Sequence, residues 1–303
     1  FIRLGVLGDW DKPYLTMNYK TEADIVRALG RIVSNGHMVK GYKPVYWSVV
    51  GGSALAEAEV EYQEKESCAI DVEFKVTERD DFLGVFSDLD RKKVTDSVSV
   101  VIWTTTPWTL PSNQAVCLSA TLDYALVKID HDNKYKTILI ATEMIDEVMK
   151  RYDVGECDVL AEAKGATLEN FEVRHPFVDK NVPLILGEHV TTEAGTGAVH
   201  TAPDHGLDDF YVGQKYGIGT VNLIDENGIF SENAGEFAGA HVYKVDEQII
   251  EKLKANKKLI ALEKITHSYA HCWRTKTPLI YRATPQWFIS MTERDLLGSA
   301  LKA

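Results

Sequence analysis

Apolar and polar positions along this chain change period several times, and each change marks an element. Residues 21–35 open with Thr21-Glu22-Ala23-Asp24 and continue with Ile25, Leu29, Ile32 and Val33 on one face. That pattern predicts a helix with a capping threonine, ended by Gly36. From Ile70 to Phe74 apolar and acidic residues alternate, as in a half-buried strand. Residues 80–97 are polar and charged and read as a loop or short helix. Apolar runs at 98–103, 115–118, 124–129 and 137–141 predict four strands. Residues 141–151 return to helical spacing, with Met144, Ile145 and Val148 on one face. Further strands are expected at 158–163, 184–186, 197–200 and 258–265, and helices at 208–216, ended by Gly217, and at 246–256.

Many short strands with few helices, and no regular β-α-β alternation, predict a mixed α/β fold. The expected form is a compact, β-barrel-like domain with peripheral helices over residues 69–265. It is inserted into a smaller connective segment formed by residues 1–68 and 266–303.

Composition narrows the class. The chain has 303 residues, 45% of them hydrophobic, enough for a substantial core. No apolar run approaches the roughly 20 residues that span a bilayer, and no signal peptide is visible. Cys68, Cys117, Cys157 and Cys272 show no paired spacing, which fits reduced thiols and a cytoplasmic location.

Two segments carry candidate chemistry. The first is Trp103-Thr104-Thr105-Thr106-Pro107-Trp108-Thr109-Leu110-Pro111-Ser112-Asn113, directly after an apolar run. Its hydroxyls and amide, on a backbone stiffened by two prolines, suit holding a polar ligand or positioning a water, and it contains no general base. The second runs from Gly195 to Phe210 and holds His200, Asp204, His205, Asp208 and Asp209. Asp208 and Asp209 fall in the first turn of a predicted helix, where carboxylates complement the helix dipole. His200 follows an apolar run, where a lone histidine is commonly a satisfied core residue. The spacing is not that of a metal-binding His-Glu-x-x-His helix, and there is no Gly-x-Ser-x-Gly elbow for a serine hydrolase.

Together the two segments resemble the editing domain of bacterial isoleucyl-tRNA synthetases, the module that hydrolyses mischarged valyl-tRNA. Thr106 stands where the valyl and leucyl enzymes typically have arginine, and Pro107-Trp108-Thr109-Leu110-Pro111 and His200 are similar to the isoleucyl family. Further similarity runs through residues 1–10, 53–60, 267–269 and 283–288, so it covers essentially the whole chain. The His-x-Gly-His and Lys-Met-Ser-Lys-Ser signatures of the family's catalytic domain are absent, so a fragment unable to activate an amino acid is expected.

The resemblance implies roles. An aspartate matching Asp209 binds the α-ammonium group of the aminoacyl ester. Thr105 and neighbouring polar groups position a water for direct attack on the ester carbonyl. Thr104, Thr106, Thr109, Asn113 and His200 bind substrate, with Thr106 and His200 bounding the side-chain pocket against isoleucine. The implied partners are the 3′ acceptor end of tRNA(Ile) carrying valine and the remainder of the synthetase, with the fragment a monomer and no membrane partner. No cofactor is expected in this segment; ATP, and any zinc, belong to the full-length enzyme. Many members carry a zinc site of paired cysteines, but the matching positions here are Ser48, Gly51, Cys272 and Thr275. Asp204 stands where a small residue is usual.

Such a domain answers a physical limit. Isoleucine and valine differ by one methylene, worth only about 1–3 kcal/mol in a pocket, a value for which the isoleucyl enzyme is itself the standard illustration. The net charge of −12 is awkward for a tRNA-binding chain and leaves a second reading open, a non-catalytic module that docks the tRNA acceptor end.

Overall fold

The computed structural model describes residues 1–303. The first elements are α1 (Tyr19–Ser34), β1 (Met38–Ser48), β2 (Ser53–Leu55), β3 (Val60–Val76), α2 (Arg79–Leu83) and β4 (Val98–Thr104). Then come β5 (Ala115–Leu118), β6 (Asp123–His131), β7 (Lys134–Ala141), α3 (Ile145–Arg151), β8 (Asp158–Lys164), β9 (Glu172–Arg174) and β10 (Asn181–Leu186). The last are β11 (Val199–Thr201), α4 (Leu207–Lys215), α5 (Asp246–Ala255), β12 (Leu259–Cys272), β13 (Ile280–Ile289) and α6 (Leu296–Lys302). The chain divides into two units, Phe1–Tyr42 with Pro285–Ala303, and Lys43–Thr284. No helix is long and apolar enough to cross a membrane.

In the first unit α1 begins two residues before the expected capping threonine. Asn18 caps it instead, its side-chain oxygen accepting from the Lys20 amide at 3.0 Å. None of the helix's residues is buried.

The larger unit is organised by one sheet in the order β11-β5-β10-β9-β3-β4-β7-β6-β8, with β12 also paired to β3. β4 is its centre. The run Val98-Ser99-Val100-Val101-Ile102 is buried throughout, as a strand covered on both faces must be. It pairs antiparallel with β3 and parallel with β7. β6 and β7 form a hairpin whose two-residue turn, Asp132-Asn133, takes positive φ at both positions, a conformation those two side chains tolerate well. The sheet ends at β11 and β8, which do not pair with each other, so the barrel is not closed and barrel-like describes it only loosely.

β3 and β12 form a long antiparallel ribbon from Val60↔Cys272 to Val72↔Leu259, its register shifting between Ala261 and Leu259. It runs through residues 68–69 and 265–266, where the pattern places the edges of the expected inserted domain. The outer half of the ribbon is solvated, so its sequence lacks the alternation that marks 70–74. Cross-strand pairs hold it instead: Glu66 with Lys264 at 2.9 Å, and Lys65 over the Tyr269 ring at 4.1 Å.

Ser48, Gly51, Cys272 and Thr275 come together at the base of this ribbon. The Gly51 amide donates to Ser48 Oγ at 3.0 Å, and the Thr275 amide donates to Cys272 Sγ at 3.5 Å. One thiol, two hydroxyls and a glycine do not make a tetrahedral zinc site, and hydrogen bonds close the knuckle where thiolates would have bound metal.

Two outcomes are expected. Elemental analysis of the purified chain should find far less than one zinc per molecule; a stoichiometric amount would contradict this account of the knuckle. Tyr124 is fully buried, and its hydroxyl donates to the Gly197 carbonyl at 2.6 Å while accepting from the Ser119 amide at 2.9 Å. Tyr124→Phe leaves both backbone groups without a partner and should cost about 1–3 kcal/mol in a urea titration.

Candidate functional site

The threonine-rich segment turns sharply out of β4. Pro107 starts a short 3-10 turn, Pro107–Ser112, all of whose residues are buried. Thr104 Oγ1 accepts from the Thr106 amide at 3.1 Å and lies 3.2 Å from Thr106 Oγ1. Thr109 Oγ1 donates to the Thr106 carbonyl at 2.8 Å. The threonines therefore brace their own turn, the local hydrogen bonding that short hydroxyl side chains offer outside helices.

The facing wall comes from β11 and the chain after it. β11 pairs antiparallel with β5, His200 opposite Val116. The chain then bends at Pro203 and enters α4, whose first turn carries Asp208 and Asp209. Asp208 is exposed, whereas Asp209 is half-buried and folds back so that its Oδ2 accepts from the Ala202 amide at 2.8 Å. Its Oδ1 has no protein partner and is not sealed from the cavity.

Between the walls lies a cavity of about 190 Å³ whose lining includes Thr104, Thr106, Thr109, His200 and Asp209. Five of the seven residues singled out by sequence are thus gathered around one space. The other two are not in its lining. Asn113 is fully buried behind His200, and Thr105 is half-buried beside the two lining threonines. Trp103 and His205 also line the cavity. His205 was legible only as part of a turn, because the groups that seat it are remote: the Tyr281 carbonyl at 2.9 Å, Ser112 Oγ at 3.2 Å and the Trp108 ring at 4.9 Å.

The proton positions on His200 follow from its partners. Asn113 Nδ2 donates both to the Ala115 carbonyl at 2.8 Å and to His200 Nδ1 at 3.2 Å. Nδ1 is then an acceptor, so the ring proton sits on Nε2 and is donated to Thr109 Oγ1 at 2.8 Å. Thr109 in turn passes its own hydrogen to the Thr106 carbonyl. Both ring nitrogens are used, and burial, with His205 adding to it, lowers the pKa of His200 to about 3. The imidazole is neutral and has no lone pair for a substrate. His205, its pKa lowered to about 4 by burial, is likewise neutral.

Asp209 departs in the opposite sense. Burial, with the nearby charge of Asp208 adding to it, raises its carboxyl to about 7, against the Ala202 amide that favours the anion. A cation entering the cavity would draw the proton off, since an adjacent positive charge favours the ionised carboxylate. Asp204, fully buried, accepts from the Val221 amide through Oδ2, and burial raises it to about 6. It ties the turn before α4 to the 221 loop and does not line the cavity.

The chain has clear relatives. The family of class I tRNA synthetases (I, L, M and V) matches residues 1–303. An isoleucine--tRNA ligase of Teredinibacter turnerae is 60% identical over 303 residues, and one of Marinomonas sp. 58%, each match covering all of this chain and 32% of the relative. The chain thus spans about a third of the length of these relatives. Among solved structures, GlLeuRS-CP1 matches with a TM-score of 0.52 at 18% identity, covering 64% of this chain and 98% of the other. The editing domain of the Plasmodium falciparum cytosolic leucyl-tRNA synthetase matches at 0.50 and 12%, covering 66% and 99%. Those two likenesses establish a shared fold, and the match over the full length settles the family: the chain belongs to the class I tRNA synthetases of the isoleucine, leucine, methionine and valine group.

Proposed function

We propose that this chain is a post-transfer editing module that hydrolyses the ester of valine mischarged on tRNA(Ile) and keeps isoleucine out by steric overlap. The observation that carries the proposal is the pairing, in one small cavity, of a carboxylate able to meet an ammonium group with an imidazole locked neutral in the wall. A volume of about 190 Å³ lies below the roughly 300–1,000 Å³ of drug-sized sites and suits an aminoacyl group.

In this reading Asp209 Oδ1 accepts from the α-ammonium group common to all aminoacyl esters, which fixes the ester without reading its side chain. Water attacks the carbonyl carbon, the tetrahedral oxyanion collapses, and the bond to the ribose oxygen breaks as that oxygen takes up the proton the water gives up, releasing valine and intact tRNA. An aminoacyl ester is activated enough for positioning and charge stabilisation to suffice, with no covalent intermediate. Thr104 and Thr106 line the space the ester would fill, and Thr105, beside them, is assigned the water on the strength of the family resemblance. The imidazole of His200 and the Thr106 side chain bound the pocket where a further methylene would have to go, and packed walls yield little to an extra carbon.

The partners follow from the same reading: the 3′ acceptor end of tRNA(Ile), and the rest of a synthetase acting in the cytoplasm. The net charge of −12 then matters little, because the body of the tRNA is gripped elsewhere. The helix α1 supports a neighbouring protein surface, since Ile25, Leu29 and Val33 on it are 55%, 45% and 49% exposed.

Deacylation of pre-formed valyl-tRNA tests the proposal, and intact valyl-tRNA after incubation would leave only acceptor-end docking. Asp209→Ala should lower the rate by at least roughly 10- to 100-fold, the worth of a charged hydrogen bond of about 1.5–3 kcal/mol. Asp208→Ala should cost at most about 1 kcal/mol of stability and little activity; equal catalytic losses would contradict the separation of the pair. Hydrolysis should also rise with pH through about 7, because Asp209 must shed its proton to pair with the ammonium.

The second expectation concerns His200. His200→Ala should open the wall and let the domain hydrolyse isoleucyl-tRNA, while valyl-tRNA hydrolysis persists because Asp209 is untouched. A parallel loss on both substrates, of about 10²-fold or more, would mean that the imidazole acts as a general base.

A further inference from the structure

The arm that carries His200 into the cavity, residues 195–198, is not a regular element, yet each of its first three residues is anchored. The Thr196 carbonyl accepts from the Ala141 amide at 2.9 Å, and Thr196 Oγ1 donates to the Val101 carbonyl at 2.6 Å. The Gly197 carbonyl accepts from Tyr124. The Gly195 carbonyl accepts at 3.0 Å from Arg151 Nη2, and this last anchor is unlike the others.

Arg151 lies at the end of α3, with its side chain only 9% exposed. Its Nε and Nη2 grip Asp71 Oδ2 and Oδ1 of β3, both at 3.0 Å. The Tyr152 hydroxyl donates to Asp71 Oδ1 at 2.8 Å. Asp71 is 1% exposed. Taking both charges out of water is costly, and hydrophobic residues of the same volume commonly serve stability as well. What they would not supply is a rigid fork able to hold a carboxylate and a carbonyl at once.

The position of the fork gives it a use. Asp71 stands opposite Trp103 in the β3–β4 register, and Trp103 lines the cavity. Gly195, at φ +87°, packs against Trp103, where an added Cβ would come within 3.3 Å of its side chain. One buried ion pair therefore abuts both walls: through the sheet register it sits across from Trp103, and through Gly195 it holds the root of the His200 arm.

We infer that Asp71, Arg151 and Tyr152 form a clamp in which Arg151 is a positioning residue for selectivity, setting the distance between the His200 wall and the threonine wall. None of the three lines the cavity. The effect of Arg151 on substrate choice passes through the Gly195 carbonyl, and the choice between valine and isoleucine rests on the editing reading above.

Arg151→Lys keeps the positive charge beside Asp71 but cannot span the carboxylate and Gly195 together. Tyr152→Phe removes a hydrogen bond to Asp71 and leaves the bond to Gly195. Both variants are compared with the unmodified chain, below the midpoint of any thermal transition, for hydrolysis of valyl- and isoleucyl-tRNA. Hydrogen–deuterium exchange of the peptide covering 195–201 is followed in parallel. Arg151→Lys should lower the ratio of valyl to isoleucyl kcat/KM at least roughly tenfold and raise exchange in that peptide at least roughly tenfold. Tyr152→Phe should be less stable yet keep the ratio and the exchange. If Arg151→Lys does not fold, Asp71→Asn loosens the guanidinium from the other side and makes the same comparison. A selectivity ratio or an exchange rate unchanged in Arg151→Lys, or in Asp71→Asn where it stands in, overturns the inference, as does an equal change in Tyr152→Phe. An unmodified chain that leaves valyl-tRNA intact refutes the editing reading instead, and the exchange of 195–201 still decides whether the clamp holds the arm.

Discussion

The candidate site depends on one hydrogen-bond chain, from Asn113 through His200 and Thr109 to the Thr106 carbonyl. It joins two segments 91 residues apart in sequence, at Thr109 and His200, and it leaves no choice of tautomer. The threonine turn braces itself and β5 holds β11 in register, so what the chain adds is the link between the two walls. With it, the imidazole becomes a neutral and oriented surface, buried at the cost of its basicity. A histidine spent this way is useful for its shape, and shape is what a site needs if it is to tell apart two side chains that differ by one carbon.

The electrostatics of the cavity fit the same division of labour. The chain is acidic as a whole, but among the lining side chains described the ionisable groups are Asp209 and two histidines held neutral. A single carboxylate in a space with low dielectric is a strong attractor for an ammonium group and a poor one for anything neutral. Its proton affinity is raised by the burial that also strengthens that attraction, so in the proposed reading the preference for a cation and the pH dependence share one physical origin.

The sheet supplies the rigidity behind this. β4, buried from Val98 to Ile102, delivers the threonine turn, and β5 holds β11 in register. The arm between them is irregular, so its carbonyls need partners from outside any ladder, and Tyr124, Ala141 and Arg151 provide them. Buried polar groups of this kind cost stability unless fully satisfied, and here they are satisfied by bonds that also fix where His200 stands.

Local pattern was enough for much of this chain. The strand at 115–118 was legible to the residue, and those at 98–103, 124–129 and 137–141 and the helix at 246–256 nearly so, because burial on fixed faces imposes period and composition on the sequence itself. The threonine-rich peptide and the His200–Asp209 segment stood out for the same local reason, as polar side chains clustered beside apolar runs. What the sequence could not reveal was decided by contacts between distant residues. The outer half of the β3–β12 ribbon is wet on its faces and carries no periodic signal. Asn113 read as a ligand-binding amide but stands behind His200, and whether an amide faces a substrate or another side chain depends on which strand is brought beside it. Likewise Asp71, Arg151 and Gly195 have no relation in sequence; only the packing of α3 against the sheet places a guanidinium between a buried carboxylate and the root of the arm.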